Sequence, residues 1–160
     1  MFNTLYSKLA ATLVALLLGV GIFYALLSQS LYEESYRSSN QQLNRNLAAD
    51  LVREMKLIRE GRVDRDSMKE AFHVMMLVNP AIEIYFLDKA GKIVSFSADP
   101  GKIKRKQIDL LPIKKFLSGE GDFPLLGDDP RSTNSRKSFS VVALPTRDNP
   151  EGYLYVVLQG

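Results

Sequence analysis

Side chains that could bind an anion are concentrated in one part of the sequence, residues 89–115. This stretch contains eight basic and two acidic residues, a local charge of +6. Residues 120–129, by contrast, contain four acidic residues and no basic one. An arginine such as Arg105 or Arg131 could hold a carboxylate or a phosphate through paired hydrogen bonds. Three interpretations stay open: a solvated charged surface, capture of an anionic ligand, and attraction of the basic loop to anionic lipid headgroups.

The residue types that catalysis needs are scarce. General acid–base chemistry requires two groups whose pKa values are pushed apart, and nucleophilic catalysis requires a nucleophile beside a positioned base. His73 is the single histidine and there is no cysteine, and we interpret His73 as a structural or partly exposed helix residue. Asp128 and Asp129 offer oxygen ligands to a hard cation, but the flanking Gly127 and Pro130 favour a turn. We therefore expect no catalytic residue, metal site or cofactor in this chain.

Size and net charge exclude further classes of function. The 160 residues carry 21 basic and 18 acidic side chains, a net charge of +3, which is too mild to indicate nucleic-acid binding. Once an apolar N-terminal segment is set aside, the remainder is long enough for one small domain and a connecting helix. A sensor, a transfer domain and a nucleotide-binding catalytic domain would not fit together in it.

An apolar segment near the N-terminus predicts a membrane span. Residues 9–27 contain no charged residue, and as a helix these 19 residues would rise about 28 Å, close to the thickness of a hydrocarbon core. The alternative is a cleaved signal peptide with an exit near residues 28–30. That alternative is disfavoured because the apolar run is longer than a usual signal-peptide core. We predict a retained transmembrane helix over residues 9–27.

The flanking charges predict the orientation of this span. Lys8 and the amino terminus precede it, whereas Glu33 and Glu34 follow it, and basic flanks remain in the cytoplasm. Residues 1–8 are therefore expected to be cytoplasmic, and the rest of the chain to lie outside the cell membrane.

Residues 28–62 predict a long membrane-proximal helix that continues the span. Apolar side chains recur at spacings of four, four, four and three, and no proline interrupts them. Such spacing is typical of an amphipathic helix. The stripe consists of Leu43, Leu47, Leu51, Met55 and Ile58. It either packs on the globular domain of the same chain or pairs with a second copy in a homodimer, and both interpretations stay open.

Residues 63–160 predict one domain of the α+β class, with an antiparallel sheet of four or five strands and short covering helices. Ser67 and Glu70 have the spacing of a capping box, which predicts a short helix that ends near Pro80. Two β-hairpins follow, over residues 81–97 and 137–159, because β-branched and aromatic runs flank turn-forming residues. Between the hairpins, residues 112–117 predict a helix and residues 121–135 a long loop.

Three segments together resemble the extracytoplasmic sensor region of bacterial transmembrane histidine kinases. They are residues 79–97 (NPAIEIYFLDKAGKIVSFS), residues 127–131 (GDDPR) and residues 152–158 (GYLYVVL). The first segment is similar to the opening two strands of a PAS-like domain, and the last is similar to its final strand. The resemblance extends over essentially the whole chain, because residues 28–62 are similar to the helix that leads such domains.

The resemblance also implies where a ligand would bind. In PAS-like sensors the loops and the short helix between the hairpins cover one face of the sheet. The residues implied near a pocket there are Lys104, Arg105, Lys106, Asp128, Asp129 and Arg131. On the strands, Tyr85, Tyr153 and Tyr155 could also line a pocket with their hydroxyls. Aromatic side chains at strand spacing also serve plain sheet packing, so the three tyrosines keep that second interpretation. The expected ligand is a small anion.

The function implied by the resemblance is signal input. We expect the chain to be the sensor region of a two-component histidine kinase in the bacterial inner membrane, with a periplasmic domain and the catalytic domains beyond residue 160. The setting of His73 lacks the acidic and basic residues of the family's phosphorylation motif, so that role is not assigned to it. Two alternatives stay open: a self-sufficient membrane-anchored interaction module, and the sensor region of a cyclase or chemoreceptor.

Overall fold

The structure, a computed structural model, describes residues 5–78 and 82–158 and belongs to the α+β class, as predicted. The helices are α1 (Leu5–Leu43), α2 (Leu47–Glu54), α3 (Arg65–Val78) and α4 (Leu110–Ser118). The strands are β1 (Ile58–Arg59), β2 (Arg62–Val63), β3 (Ile82–Asp88), β4 (Ile93–Phe96), β5 (Leu126–Asp128), β6 (Arg136–Pro145) and β7 (Pro150–Leu158). The chain divides into two compact units, Met1–Tyr36 and Arg37–Gly160.

The first unit consists of the N-terminal part of α1. The predicted span, residues 9–27, is helical throughout. Its apolar side chains are exposed, among them Leu13, Leu17 and Phe23. By length and composition α1 is able to cross a membrane.

The helix predicted over residues 28–62 ends earlier than expected. It is interrupted by a turn at residues 44–46, and α2 ends at Glu54. Lys56, Glu60 and Gly61 adopt left-handed φ values of 50°, 51° and 74°, which a right-handed helix does not accommodate. The chain forms the small β1–β2 hairpin instead, so the prediction was wrong from Met55 onward.

Most of the apolar stripe of this segment packs inside the second unit, to which the stripe belongs. Leu47, Leu51, Met55 and Ile58 all contact the apolar cluster beneath α2 and α3, whereas Leu43 is 86% exposed. Packing on the same chain's domain, one of the two interpretations of the stripe, is therefore confirmed for four of its five members.

The predicted cap of α3 was misplaced by three residues. The helix begins at Arg65, and Asp64 rather than Ser67 caps it: Asp64 Oδ1 accepts from the amides of Asp66 at 3.1 Å and Ser67 at 3.2 Å. Ser67 Oγ donates to Asp64 Oδ2 at 2.9 Å. The hydroxyl that the capping-box pattern assigned to the cap therefore bonds the true cap residue. These hydrogen bonds, that of the Ser67 hydroxyl foremost, lower the pKa of Asp64.

The second unit is built on a five-stranded antiparallel sheet with the order β4-β3-β7-β6-β5. Both predicted hairpins are confirmed: β3 pairs with β4, and β6 pairs with β7. The first and last strands are joined as well, with Tyr85 opposite Tyr155 and Leu87 opposite Tyr153. The loop predicted over residues 121–135 contains the fifth strand, β5, which pairs with β6 from Leu126–Ser138 to Asp128–Arg136.

Each face of the sheet carries its own apolar cluster. On one face, Tyr85, Phe139 and Tyr155 pack with Ile113 and Phe116 of α4. The other face is covered by α2 and α3, and its cluster includes Ala48, Met68, Phe72, Ile84, Phe86, Leu154 and Val156. The α4 face is the one on which the sequence places the candidate ligand site.

Candidate functional site

The two loops predicted to carry the site lie side by side. The backbone amides of Lys104 and Arg105 donate to the carbonyl oxygen of Pro130 at 2.9 and 3.1 Å. The Arg105 side chain reaches further along the same turn, where its Nε donates to the carbonyl oxygen of Ser132 at 2.7 Å. The Lys104 and Lys106 side chains are exposed, so of the three basic residues only Arg105 is built into this junction.

Asp128 is buried at the end of β5, where three groups contact its carboxylate and a fourth contacts its main-chain carbonyl. Its Oδ2 accepts from the backbone amide of Asp109 at 3.1 Å and lies 3.3 Å from Arg105 Nη1. Arg136 Nε approaches its Oδ1 at 3.9 Å. Its main-chain carbonyl accepts a hydrogen bond of 2.9 Å from the hydroxyl of Tyr155. Burial, followed by the negative charge of Asp128, raises the pKa of Tyr155 well above its ordinary value.

Asp129 shapes the turn that follows β5. Its Oδ1 accepts from the backbone amide of Arg131 at 2.9 Å, and its Oδ2 accepts from Ser135 Oγ at the same distance. Lys137 Nζ lies 3.6 Å from Oδ2. This is the local hydrogen bonding by which an aspartate stabilises a turn. The turn interpretation of the two adjacent carboxylates is therefore correct for Asp129, whereas Asp128 belongs to strand β5.

Arg131 extends from this turn to the central strand β3. Its Nη2 lies 2.6 Å from Glu83 Oε1, and the hydroxyl of Tyr85 donates to the other oxygen, Glu83 Oε2, at 2.5 Å. Glu83 is only 1% exposed. Burial, with the hydrogen bond to Glu83 as the second cause, raises the pKa of Tyr85 well above its ordinary value. The Nε of Arg131 is buried and has no hydrogen-bond partner among the described residues.

These side chains form what we call the charged cluster, defined as Glu83, Arg105, Asp128, Asp129 and Arg131. Four of its five members are residues that the sequence singled out. Glu83 was missed, although its sequence context contains a signal: it is an acidic residue two positions before Tyr85 and is flanked by Ile82 and Ile84. Side chains two apart on a strand share a face, so Glu83 and Tyr85 had to be considered together.

Tyr153 does not join the charged cluster. It is buried in the apolar cluster beneath α4, opposite Leu87 on one side and Ala143 on the other. The packing interpretation of this tyrosine therefore describes its position. Two other tyrosines do bond to the cluster, Tyr85 through Glu83 and Tyr155 through the carbonyl of Asp128.

The charged cluster contains two ion pairs, Arg105–Asp128 and Arg131–Glu83. Two further basic side chains approach its aspartates, Arg136 at Asp128 and Lys137 at Asp129. An anion that bound the Nη atoms facing Asp128 or Glu83 would have to replace that carboxylate. Within residues 5–78 and 82–158, no group of three His, Cys, Asp or Glu side chains is placed to hold a metal ion.

His73 lies at a separate place, on the exposed side of α3. It lines a shallow cleft of about 280 Å³ between α3 and β4, together with Lys69, Phe72, Ser95 and Phe96. Among the described residues that line the cleft, Lys69 is the other ionisable one.

Comparison with protein-family models finds no family that matches this chain, and comparison with curated proteins finds no significant match.

Proposed function

We propose that this chain is the signal-input region of a membrane-bound two-component sensor histidine kinase. In this proposal α1 crosses the bacterial inner membrane, and the unit that begins at Arg37 is a periplasmic PAS-like sensor domain. The observation that carries the proposal is that one helix, α1, contains both the apolar segment and the first residues of the folded unit. A change in the domain therefore has a direct covalent and helical path to the proposed span.

The topology of the sheet supports the PAS-like part of the proposal. The sequence resemblance requires that residues 82–96 supply the first two strands and residues 152–158 the last. In the sheet the first strand, β3, lies between the second strand and the last one. The helix α4 and the two charged loops lie between the hairpins in sequence, and α4 covers the face that carries Tyr85 and Tyr155.

The charged cluster supports a small anion as the signal. Arg105 and Arg131 present guanidinium groups that suit a carboxylate or a phosphate. Each is paired with a carboxylate, Arg105 with Asp128 and Arg131 with Glu83. A ligand that replaced one of these carboxylates would favour a second arrangement of the turn after β5. It would shift the equilibrium only by the difference between its affinities for the two arrangements.

The exported domain would act in a dimer. Signalling through the membrane would then be a change in the position of one long helix relative to its copy, which is one of the known ways of transmitting a two-state change. The exposed aromatic pair Tyr32 and Tyr36, with ring centroids 6.5 Å apart, lies on the part of α1 between the apolar segment and the folded unit.

The experiment that tests this function is to read the coding sequence that follows codon 160. The proposal expects an open frame that encodes a second apolar span, a helical domain with a phosphorylatable histidine and an ATP-binding domain. An output domain of the cyclase or chemoreceptor type would keep the sensor role but refute the kinase. A stop codon at that position would refute both and favour the membrane-anchored interaction module.

A further inference from the structure

Gln41, near the C-terminal end of α1, has an unusual environment for a helix glutamine. It is 0% exposed, although the next two residues, Gln42 and Leu43, are exposed. Burial of a primary amide is unfavourable unless its donors and its acceptor are hydrogen-bonded. The position therefore calls for partners from another part of the fold.

The partners of Gln41 are backbone groups at the edge of the sheet. Its Nε2 donates to the carbonyl oxygens of Leu125 at 2.9 Å and Phe139 at 2.8 Å. Its Oε1 accepts from the amide of Leu125 at 2.7 Å. Both polar groups of the Leu125 backbone are thus bound by one side chain, as they would be by a neighbouring strand. Leu125 immediately precedes β5, the outermost strand on this side.

Further contacts bind the end of α1 and the residues that follow it to the sheet. Ser38 Oγ donates to the carbonyl oxygen of Phe123 at 3.2 Å, and the guanidinium carbon of Arg45 lies 5.8 Å from the centre of the Phe123 ring. Ser140 Oγ donates to the carbonyl oxygen of Arg45 at 2.9 Å and accepts from the amide of Ala48 at 3.1 Å. Residues 38–48 are therefore held to the chain that enters β5 and to β6.

The other end of β5 belongs to the charged cluster. Asp128, its last residue, is bound by Arg105 and by the amide of Asp109. Leu125 and Asp128 are three residues apart, which in an extended chain is roughly 10 Å. A strand this short has few dihedral angles with which to absorb a displacement. A rearrangement at Asp128 is therefore transmitted to Leu125 and its partner Gln41.

We propose that Gln41 is the positioning residue through which the charged cluster is coupled to α1. The interpretation of this coupling as a step in signal transmission rests on the proposed sensor function. The coupling itself is a physical property of this chain and can be measured without any output domain.

The test is a double-mutant cycle on hydrogen exchange, performed on the full chain in detergent or lipid nanodiscs. Arg105→Met perturbs the charged cluster, and Gln41→Leu removes the coupling amide. The readout is the exchange rate of the backbone amides of residues 37–43. Gln42→Leu is the matched control, since it is the same substitution at the adjacent, exposed glutamine.

We expect Arg105→Met to raise the exchange rate of residues 37–43 at least about twofold in the wild-type and Gln42→Leu backgrounds, the lower limit for residues coupled through a shift of the backbone. In the Gln41→Leu background we expect no further rise. If Gln41 had a purely structural role, Gln41→Leu would raise the exchange rate by the same factor with and without Arg105. An effect of Arg105→Met that depends on Gln41 therefore indicates coupling.

Two results would overturn the inference: no change on Arg105→Met in the wild-type background, or the same change with and without Gln41. If Gln41→Leu removes the protection of β7, and so unfolds the domain, Gln41→Glu replaces it. That variant keeps an acceptor for the Leu125 amide and removes both donors, and the same expectation applies. A stop codon after codon 160 would refute the kinase proposal and leave this measurement interpretable.

Discussion

Removal of the Arg131 guanidinium tests whether the charged cluster is a stabilising network. In Arg131→Met, Glu83 keeps the hydrogen bond from Tyr85 but loses the cation 2.6 Å away, and Glu83 is only 1% exposed. Breaking a buried pair from one side costs about 3–5 kcal/mol, because a charge is left in a medium of low dielectric constant. Since 28% of the Arg131 side chain is exposed, we expect about 3 kcal/mol, the lower end of that range.

The assay is urea unfolding of the detergent-solubilised chain, followed by near-ultraviolet circular dichroism. Arg53→Met is the matched control: Arg53 pairs with Asp50, but the two side chains are 74% and 51% exposed, so we expect a loss below about 1 kcal/mol. The double variant Glu83→Gln/Arg131→Met should recover most of the stability, since no buried charge then remains at this pair. The reasoning is refuted if Arg131→Met costs no more than Arg53→Met, or if Glu83→Gln fails to rescue it.

Three further predictions follow from the packing and the ionisable groups. Gly127→Ala would place a Cβ 2.4 Å from the Tyr155 hydroxyl and 2.9 Å from the Phe139 ring, so we expect the free energy of unfolding in urea to fall by about 1–3 kcal/mol. The control Gly101→Ala, whose Cβ would lie 3.5 Å from its nearest neighbour, should be nearly neutral. Since the folded state raises the pKa values of Tyr85 and Tyr155, the stability that they contribute is present below pH 10 and lost as the pH rises further. In a titration followed by tyrosinate absorbance, we expect late-ionising phenols, and one fewer of them in Tyr85→Phe. Early ionisation of all seven tyrosines would contradict this. Because the pKa of Asp64 is lowered in the folded state, ionised Asp64 stabilises the fold above its ordinary pKa, and this stability is lost as the pH falls through the lowered value. The difference in unfolding free energy between the wild type and Asp64→Ala should therefore shrink in acid. A difference that does not change with pH would refute the capping role.

Local patterns predicted some of the regular elements of the second unit, namely its two long hairpins and the helices α3 and α4. Alternating apolar residues and turn-forming residues located both hairpins, and Pro112 and Gly119 bracketed the helix α4, whose C-cap Gly119 has a φ of 77°. The strand β5 was missed because its three residues lie in a segment rich in glycine and proline, and only pairing with β6 makes it a strand. The cap of α3 was misplaced because Asp64 and Ser67 are both good capping residues, and the pattern does not distinguish them.

The charged cluster was predicted only in part, because local patterns do not show contacts between residues that are distant in the sequence. The arginines and aspartates of the charged cluster stand out by type and by their place between the hairpins. Glu83 did not stand out, because its partner Arg131 lies far along the chain. The role of Gln41 had no local signal at all: its hydrogen-bond partners are 84 and 98 residues away, and a glutamine in a polar helix segment is ordinary.

A periplasmic location of the folded unit is the property on which the proposed sensor function depends, and cysteine labelling measures it. The chain contains no cysteine, so a single Lys89→Cys in the exposed β3–β4 turn can be labelled with a membrane-impermeant maleimide, with Asn3→Cys as the control for the opposite side. We expect right-side-out vesicles to label Lys89→Cys and not Asn3→Cys, and inside-out vesicles to give the reverse. Labelling of Lys89→Cys only in inside-out vesicles, or of both variants in right-side-out vesicles, would contradict it.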